Sequence, residues 1–159
     1  MSEPLSPSAQ KVQDVLTSLG FAYQVVESAQ PTRTAAEAAE RVGCEVGQIV
    51  KSLIFKTKQT DRAVLVITSG ANQVNEWRIG ALLKEPLEKA PAAFVRERTG
   101  FAIGGIPPLG HATPLETFVD QDLMRYQEVW AAAGTPHALF RLVPADLVKM
   151  CGGRVVKVS

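Results

Sequence analysis

Cysteine is scarce in this chain of 159 residues: Cys44 and Cys151 are the only two, and they form no CxxC pair. Two thiols cannot make a four-cysteine zinc site. Each sits beside glycine or apolar residues, which predicts buried free thiols. Histidine is as sparse, and neither His111 nor His137 belongs to a pattern with metal-ligand spacing. No metal and no organic cofactor is expected. No apolar run approaches the length that spans a bilayer. The opening MSEPLSPSAQ lacks the basic start and apolar stretch of a signal peptide, so a cytoplasmic protein that avoids membranes is expected.

Basic charge is not in excess either. The 17 Lys and Arg against 16 Asp and Glu leave a net charge of +1. DNA-binding and general RNA-binding proteins draw much of their affinity from phosphate contacts and usually carry a clear basic surplus. DNA is therefore not expected as a partner, and RNA would be gripped at one end rather than wrapped. Lys56, Lys58 and Arg62 around one turn, or Arg96 and Arg98 near another, read either as local patches or as solvated surface charges. Familiar catalytic signatures are missing as well. Ser69-Gly70 lacks a GxSxG setting, no glycine run ends in GK[ST], and Glu116, Asp120, Asp122 and Glu128 have no spacing that forces carboxylates together. A hydrolase built this way would rely on positioning and backbone amides rather than on a triad.

What is present fits one domain over residues 1–159, with 46% hydrophobic residues to fill a core. Ser6-Pro7 reads as the start of a helix whose Val12, Val15, Leu16 and Leu19 recur at helical spacing before Gly20. Residues 21–26 read as a strand. Thr34 with Glu37 forms a capping box for a helix to Arg41, closed by Gly43. Residues 49–57 and 62–69 read as two strong strands around a four-residue connection. Helices are expected over 75–83 and 91–98, strands over 116–120, 128–132 and 137–142, a helix from Pro144 toward Met150, and a last strand over 154–158. Helices scattered among hairpin-like strands predict an α+β fold, a mixed, curved sheet with packed helices.

Two features stand out. On the 49–57 strand, Lys51 shares a face with Leu53 and Phe55, while Val50, Ser52 and Ile54 share the other. A lysine on so apolar a strand either reaches a pocket or an anion, or snorkels at the sheet edge. The second feature is GFAIGGIPPLGH, residues 100–111, with four glycines and two prolines among apolar residues. Glycine lets a ligand approach main-chain amides, and proline lowers the ordering cost, so the segment reads as a binding loop presenting N–H groups. His111 and His137 read equally as acid–base groups and as histidines bonded to backbone.

These residues carry a resemblance. TAAEAAERVG (34–43), GQIVKSLIF (47–55), TGFAIGGIPPLGH (99–111), FVDQDLM (118–124), EVWAAAGTPHALFRL (128–142) and PADLVKMCGG (144–153) together resemble the YbaK/ProX-like, prolyl-tRNA-synthetase-associated editing domains, over about residues 8–158. The resemblance implies an α+β editing fold that hydrolyses misacylated tRNA in trans. It implies a catalytic set of Lys51, Gly104 and Gly105: Lys51 positions the tRNA end, and the glycine amides hold the aminoacyl carbonyl. A ribose hydroxyl of the substrate assists the attacking water. Ser52, Ile103, Pro107, His111 and His137 are the expected substrate-binding residues, with Phe21, Tyr23 and Ile54 as further wall candidates. The expected substrate is Cys-tRNA(Pro), with Ala-tRNA(Pro) or a broader small-aminoacyl range as the alternative. A noncatalytic tRNA- or synthetase-binding adaptor is the reading from another class. Expected partners are the acceptor end of tRNA(Pro) and prolyl-tRNA synthetase.

Overall fold

The computed structural model describes residues 4–159. Its centre is a hairpin of β2 (Ile49–Thr57) and β3 (Ala63–Ser69), paired from Val50 opposite Ser69 to Lys56 opposite Ala63. Every residue of β3 is buried, which explains why AVLVITS shows no alternation: a strand covered on both faces has to be apolar on both. Around it lie β1 (Val26–Glu27), β4 (Leu87–Lys89), β5 (Glu116–Asp120), β6 (Val129–Ala132), β7 (Ala138–Leu142) and β8 (Arg154–Val156). The sheet order is β1-β7-β6-β2-β3-β5-β8, with β4 also on β2. β6 runs parallel to β2, β5 to β3 and β8 to β5, and the other pairs are antiparallel. The expected α+β fold with a mixed sheet is thus observed.

Among the described residues five helices cover this sheet: α1 (Pro7–Ser18), α2 (Ala35–Val42), α3 (Glu76–Leu83), α4 (Ala92–Thr99) and α5 (Pro144–Cys151). On one face Val50, Ile54, Leu65 and Ile67 pack with Val12 and Leu16 of α1, Leu147 of α5, and Phe101, Ile106 and Leu109 of the glycine/proline loop. On the other, Phe55, Val64, Val66 and Phe118 pack with Ile79 of α3, while Ala38 and Ala39 of α2 cover Ile49 and Leu139. Each such buried Val, Leu, Ile or Phe side chain contributes about 1.5–3 kcal/mol. Among the described residues no helix is long and apolar enough to cross a membrane.

The differences from expectation have local causes. Of the anticipated 21–26 strand only Val26 pairs, as part of a two-residue β1 in which Val26 and Glu27 face Leu139 and Ala138 of β7. Upstream, the Gln13 side chain replaces a partner strand: its Nε2 donates to the Tyr23 carbonyl at 3.0 Å and its Oε1 accepts from the Val25 N–H at 2.8 Å. Ser6 precedes α1 but does not cap it, because its hydroxyl donates to Glu27 at 2.6 Å. Cys44 and Cys151 are half-buried rather than buried. Burial pushes both thiols above the usual cysteine range, so neither is activated. Lys56 and Arg62 do not form a free patch: Lys56 pairs with Asp61 and Glu88, and Arg62 with Glu85. The short β4 and two 3-10 turns, Val46–Gln48 and Gln121–Arg125, had no legible pattern.

Candidate active site

Register determines what can meet on the sheet. Val26 lies opposite Leu139, and Leu139 opposite Ala132, so these three share a face. Ile49 sits beside Trp130 in the parallel β2–β6 pair, which puts Lys51, two residues on, on that same face. Across the hairpin Lys51 is opposite Thr68, and the Thr68 hydroxyl donates to Asp120 at 3.1 Å. A row from Val26 through Lys51 to Asp120 therefore crosses one face. At its β1 end is a cleft of about 330 Å³ walled by Val26, Ser28, Arg41, Trp130, His137 and Leu139. Val26, Ser28 and His137 also border a larger cleft of about 830 Å³ that includes Gln24 and Glu27.

Lys51 is half-buried, and its ammonium donates to the main-chain carbonyl of Asn72 at 3.0 Å. Among the described residues no carboxylate oxygen lies within 4.0 Å of that nitrogen. An ammonium has three donors, so one carbonyl leaves its full charge and two N–H groups for another acceptor.

The glycine/proline loop anchors its apolar residues on the opposite face and brings its glycines round to the end of β6. The Gly134 N–H donates to the Gly105 carbonyl at 2.8 Å. A Cβ on Gly105 would stand 2.6 Å from both Cα and N of Thr135, so no larger residue fits. Gly104 has φ +101°, a conformation that requires glycine. The Gly105 N–H closes a turn on the Ala102 carbonyl at 3.2 Å. Of these two amides, Gly104's is the one without an internal partner among the described residues. The β6–β7 turn against which Gly105 packs carries His137, whose N–H donates to Thr135 Oγ1 at 3.1 Å and whose Nδ1 lies 3.1 Å from the Ser28 carbonyl. Thr135 also donates to Glu27 at 3.3 Å. Burial raises the Glu27 carboxyl, but the Ser6 and Thr135 hydrogen bonds outweigh it and hold the group below its usual range.

Gly104, Gly105 and His137 are thus brought together. Ile103 is exposed at the loop tip, 60% accessible. Lys51 rises from the sheet face shared with Val26 and Ala132, and the β2 edge separates it from the loop's apolar anchor. That edge is open: pairing with β6 stops at Val50–Ala131, and pairing with β4 starts at Phe55–Lys89. The Gly70 N–H donates to Ile49 and the Lys58 N–H to Pro86, so strand alternation turns the main-chain groups of Ser52 and Ile54 into the gap. Ser52 Oγ is buried without a partner among the described residues. Pro107 and His111 lie elsewhere. Pro107 is buried, and its carbonyl accepts a 2.7 Å hydrogen bond from His111 Nε2. Burial lowers the His111 pKa, keeping the ring neutral with its proton on Nε2. Phe21 and Tyr23 stack at 6.2 Å, and the Tyr23 hydroxyl donates to Asp146 at 2.6 Å, away from the clefts. The group with no legible spacing is Asn72 with Asp120 and Asp122: the Asn72 amide donates to both carboxylates, at 2.9 and 2.8 Å.

The Lys51 strand, the Gly104–Gly105 loop and His137 all fall inside residues 29–150, which match the model of the aminoacyl-tRNA editing domain. A crystal structure solved as a candidate trans-editing enzyme for prolyl tRNA synthetase is 50% identical, covers 98% of this chain and 99% of its own, and superposes with a TM-score of 0.92. YwhH of Bacillus subtilis (strain 168) is 27% identical over 148 residues, 93% of this chain and 94% of its own. EbsC of Enterococcus faecalis, a candidate Cys-tRNA(Pro)/Cys-tRNA(Cys) deacylase, is 22% identical over 79% of this chain and 77% of its own. Sequence match and full-length superposition agree: the chain belongs to the aminoacyl-tRNA editing domain family, in its YbaK/ProX-like branch.

Proposed function

We propose that this chain is a cytoplasmic hydrolase that removes the amino acid from mischarged tRNA in trans, residues 1–159 acting as one editing domain, and that its substrate is Cys-tRNA(Pro). The observation that carries the reading is the Lys51 ammonium, held by a carbonyl and, among the described residues, by no carboxylate, on the sheet face that leads to the His137 cleft. In this reading Lys51 binds a phosphate at the 3′ end of the tRNA, and the Gly104 N–H holds the aminoacyl carbonyl oxygen. The side chain of the amino acid enters beside His137 and Val26, with the main-chain groups of Ser52 at the open β2 edge and Ile103 at the margin. Water adds to the ester carbonyl carbon, the bond to the ribose oxygen breaks, and the proton passes to that oxygen, giving free amino acid and tRNA. The ester is already activated, so orientation and one or two amide donors supply most of what is needed. The relationship to EbsC and to the trans-editing structure supports the choice of cysteine and of a prolyl-tRNA synthetase partner.

The test is release of amino acid from Cys-tRNA(Pro), Ala-tRNA(Pro) and Pro-tRNA(Pro) by the wild type and by Lys51→Ala. Release from Cys-tRNA(Pro) with Pro-tRNA(Pro) spared is expected. A charge-assisted hydrogen bond contributes about 1.5–3 kcal/mol, so Lys51→Ala should slow release roughly 10- to 150-fold. Preference for Ala-tRNA(Pro) would replace the substrate. No release from any of the three by folded protein would leave a binding adaptor as the better reading.

A further inference from the structure

We infer that Asn72, held in place by Asp120, is a positioning residue for Lys51, an assignment that rests on the reading of Lys51 given above. Asp120 is 1% exposed. Its Oδ2 accepts from Thr68 Oγ1 at 3.1 Å, the Ser69 N–H at 3.0 Å and Asn72 Nδ2 at 2.9 Å, while its Oδ1 accepts from the Asp122 N–H at 2.9 Å. The other hydrogen of the Asn72 amide goes to Asp122 Oδ2 at 2.8 Å, and the Asn72 N–H closes a turn on the Ser69 carbonyl at 3.0 Å. Arg125 holds Asp122 from the far side at 2.7 Å. Asn72 is thus tied through its side-chain amide and its main-chain N–H. Its carbonyl is the group that receives Lys51, at 3.0 Å.

The arrangement has a physical logic. A carboxylate in contact with the ammonium would neutralise it and compete with an incoming phosphate. A carbonyl dipole orients the ammonium and leaves its charge intact. Asp120 grips the Asn72 side-chain amide and lies more than 4.0 Å from the lysine nitrogen, so it fixes the carbonyl without pairing with the ammonium. The carboxylate also caps the 3-10 turn Gln121–Arg125, so the network around Asn72 has a structural role beside the positioning one. The two roles separate in a double-mutant cycle. A residue acting through Lys51 has no further effect once Lys51 is gone, whereas an independent structural role multiplies with it.

Deacylation is measured for wild type, Lys51→Ala, Asn72→Ala and the double variant, with the aminoacyl-tRNA that the wild type hydrolyses. Asn72 lies in a half-exposed turn, so its variant should fold, and thermal unfolding checks that it does. In parallel, reductive methylation of Lys51 in wild type and Asn72→Ala is followed by peptide mass spectrometry, which needs no activity. Asn72→Ala should slow release by about tenfold, in the middle of the range for residues sharing a hydrogen-bond network. It should cause no further loss in the Lys51→Ala background, and should make Lys51 methylate several-fold faster. Losses that multiply, or unchanged methylation of Lys51, overturn the inference. Lys51→Ala impaired with Asn72→Ala at the wild-type rate removes the inference alone. Lys51→Ala at the wild-type rate removes the reading of Lys51 beneath it, and the inference with it.

Discussion

Replacing Gly105 by alanine tests the loop geometry most directly. The added Cβ would stand 2.6 Å from both Cα and N of Thr135 and 2.8 Å from C of Gly134, all of them main-chain atoms. No flexible side chain can give way, so from 2.6 Å to an ordinary 3.4 Å contact the β6–β7 turn has to retreat by roughly 0.8 Å. Overpacking of this kind costs about 1–3 kcal/mol. For a chain of this length each kcal/mol lowers Tm by about 2–4 °C. The displaced turn carries His137, and a shift near 1 Å at a positioned site costs about 10²-fold in rate. The check pairs differential scanning calorimetry with deacylation. Gly104→Ala is the control, because its Cβ meets only Pro136 Cγ at 3.7 Å and its penalty is conformational, about 1–2 kcal/mol from φ +101°. A Gly105→Ala protein with wild-type Tm and wild-type rate would refute the steric argument.

Other consequences are as concrete. Glu85 is 6% exposed; burial raises its carboxyl, but hydrogen bonds from Thr60, Thr57 and Gln59 outweigh that and bring it down to about 2. The folded pKa is depressed, so its stabilisation is complete above pH 4.5 and is lost as pH falls toward 2. Glu85→Gln should flatten that part of an acid-unfolding curve and loosen the turn whose Gln59 and Thr60 N–H groups it accepts. The His111 pKa is likewise lowered by burial, so its contribution is full above pH 6.5 and falls away as pH drops through the folded value. An NMR titration of its ring protons should show a midpoint below that of a free histidine. Thr34→Ala removes the acceptor for the Glu37 N–H, 3.1 Å away, and should cost about 1 kcal/mol in urea unfolding.

The parts legible in advance are those with local causes. Thr34 sets the start of α2 because its hydroxyl accepts from the Glu37 N–H within one turn, and Gly43 ends the helix with φ +75°. The Glu37 carboxylate takes the Arg33 N–H and so does not complete the expected box. The β2–β3 hairpin follows from two apolar runs around a short polar connection. The Gly104–Gly105 pair announced a tight backbone because nothing else explains so many glycines in an apolar segment. What misled was equally local. Residues 21–26 alternate like a strand, yet Gln13, ten and twelve residues upstream of its partners, satisfies the backbone there instead. Pro107 and His111 stand in the recognisable loop but bond to each other beneath it.

Composition and spacing alone therefore determined the fold class, the Lys51 strand and the glycine loop, because apolar periodicity, caps and backbone freedom are properties of neighbouring residues. Only the tertiary structure decided which groups meet. Parallel pairing of β5 with β3 sets Asp120 beside Thr68, 52 residues away in the chain, and the Asn72 turn carries a carbonyl to Lys51, 21 residues back. Such contacts depend on strand order and register, and a one-residue slip would turn Lys51 and Asp120 to opposite faces.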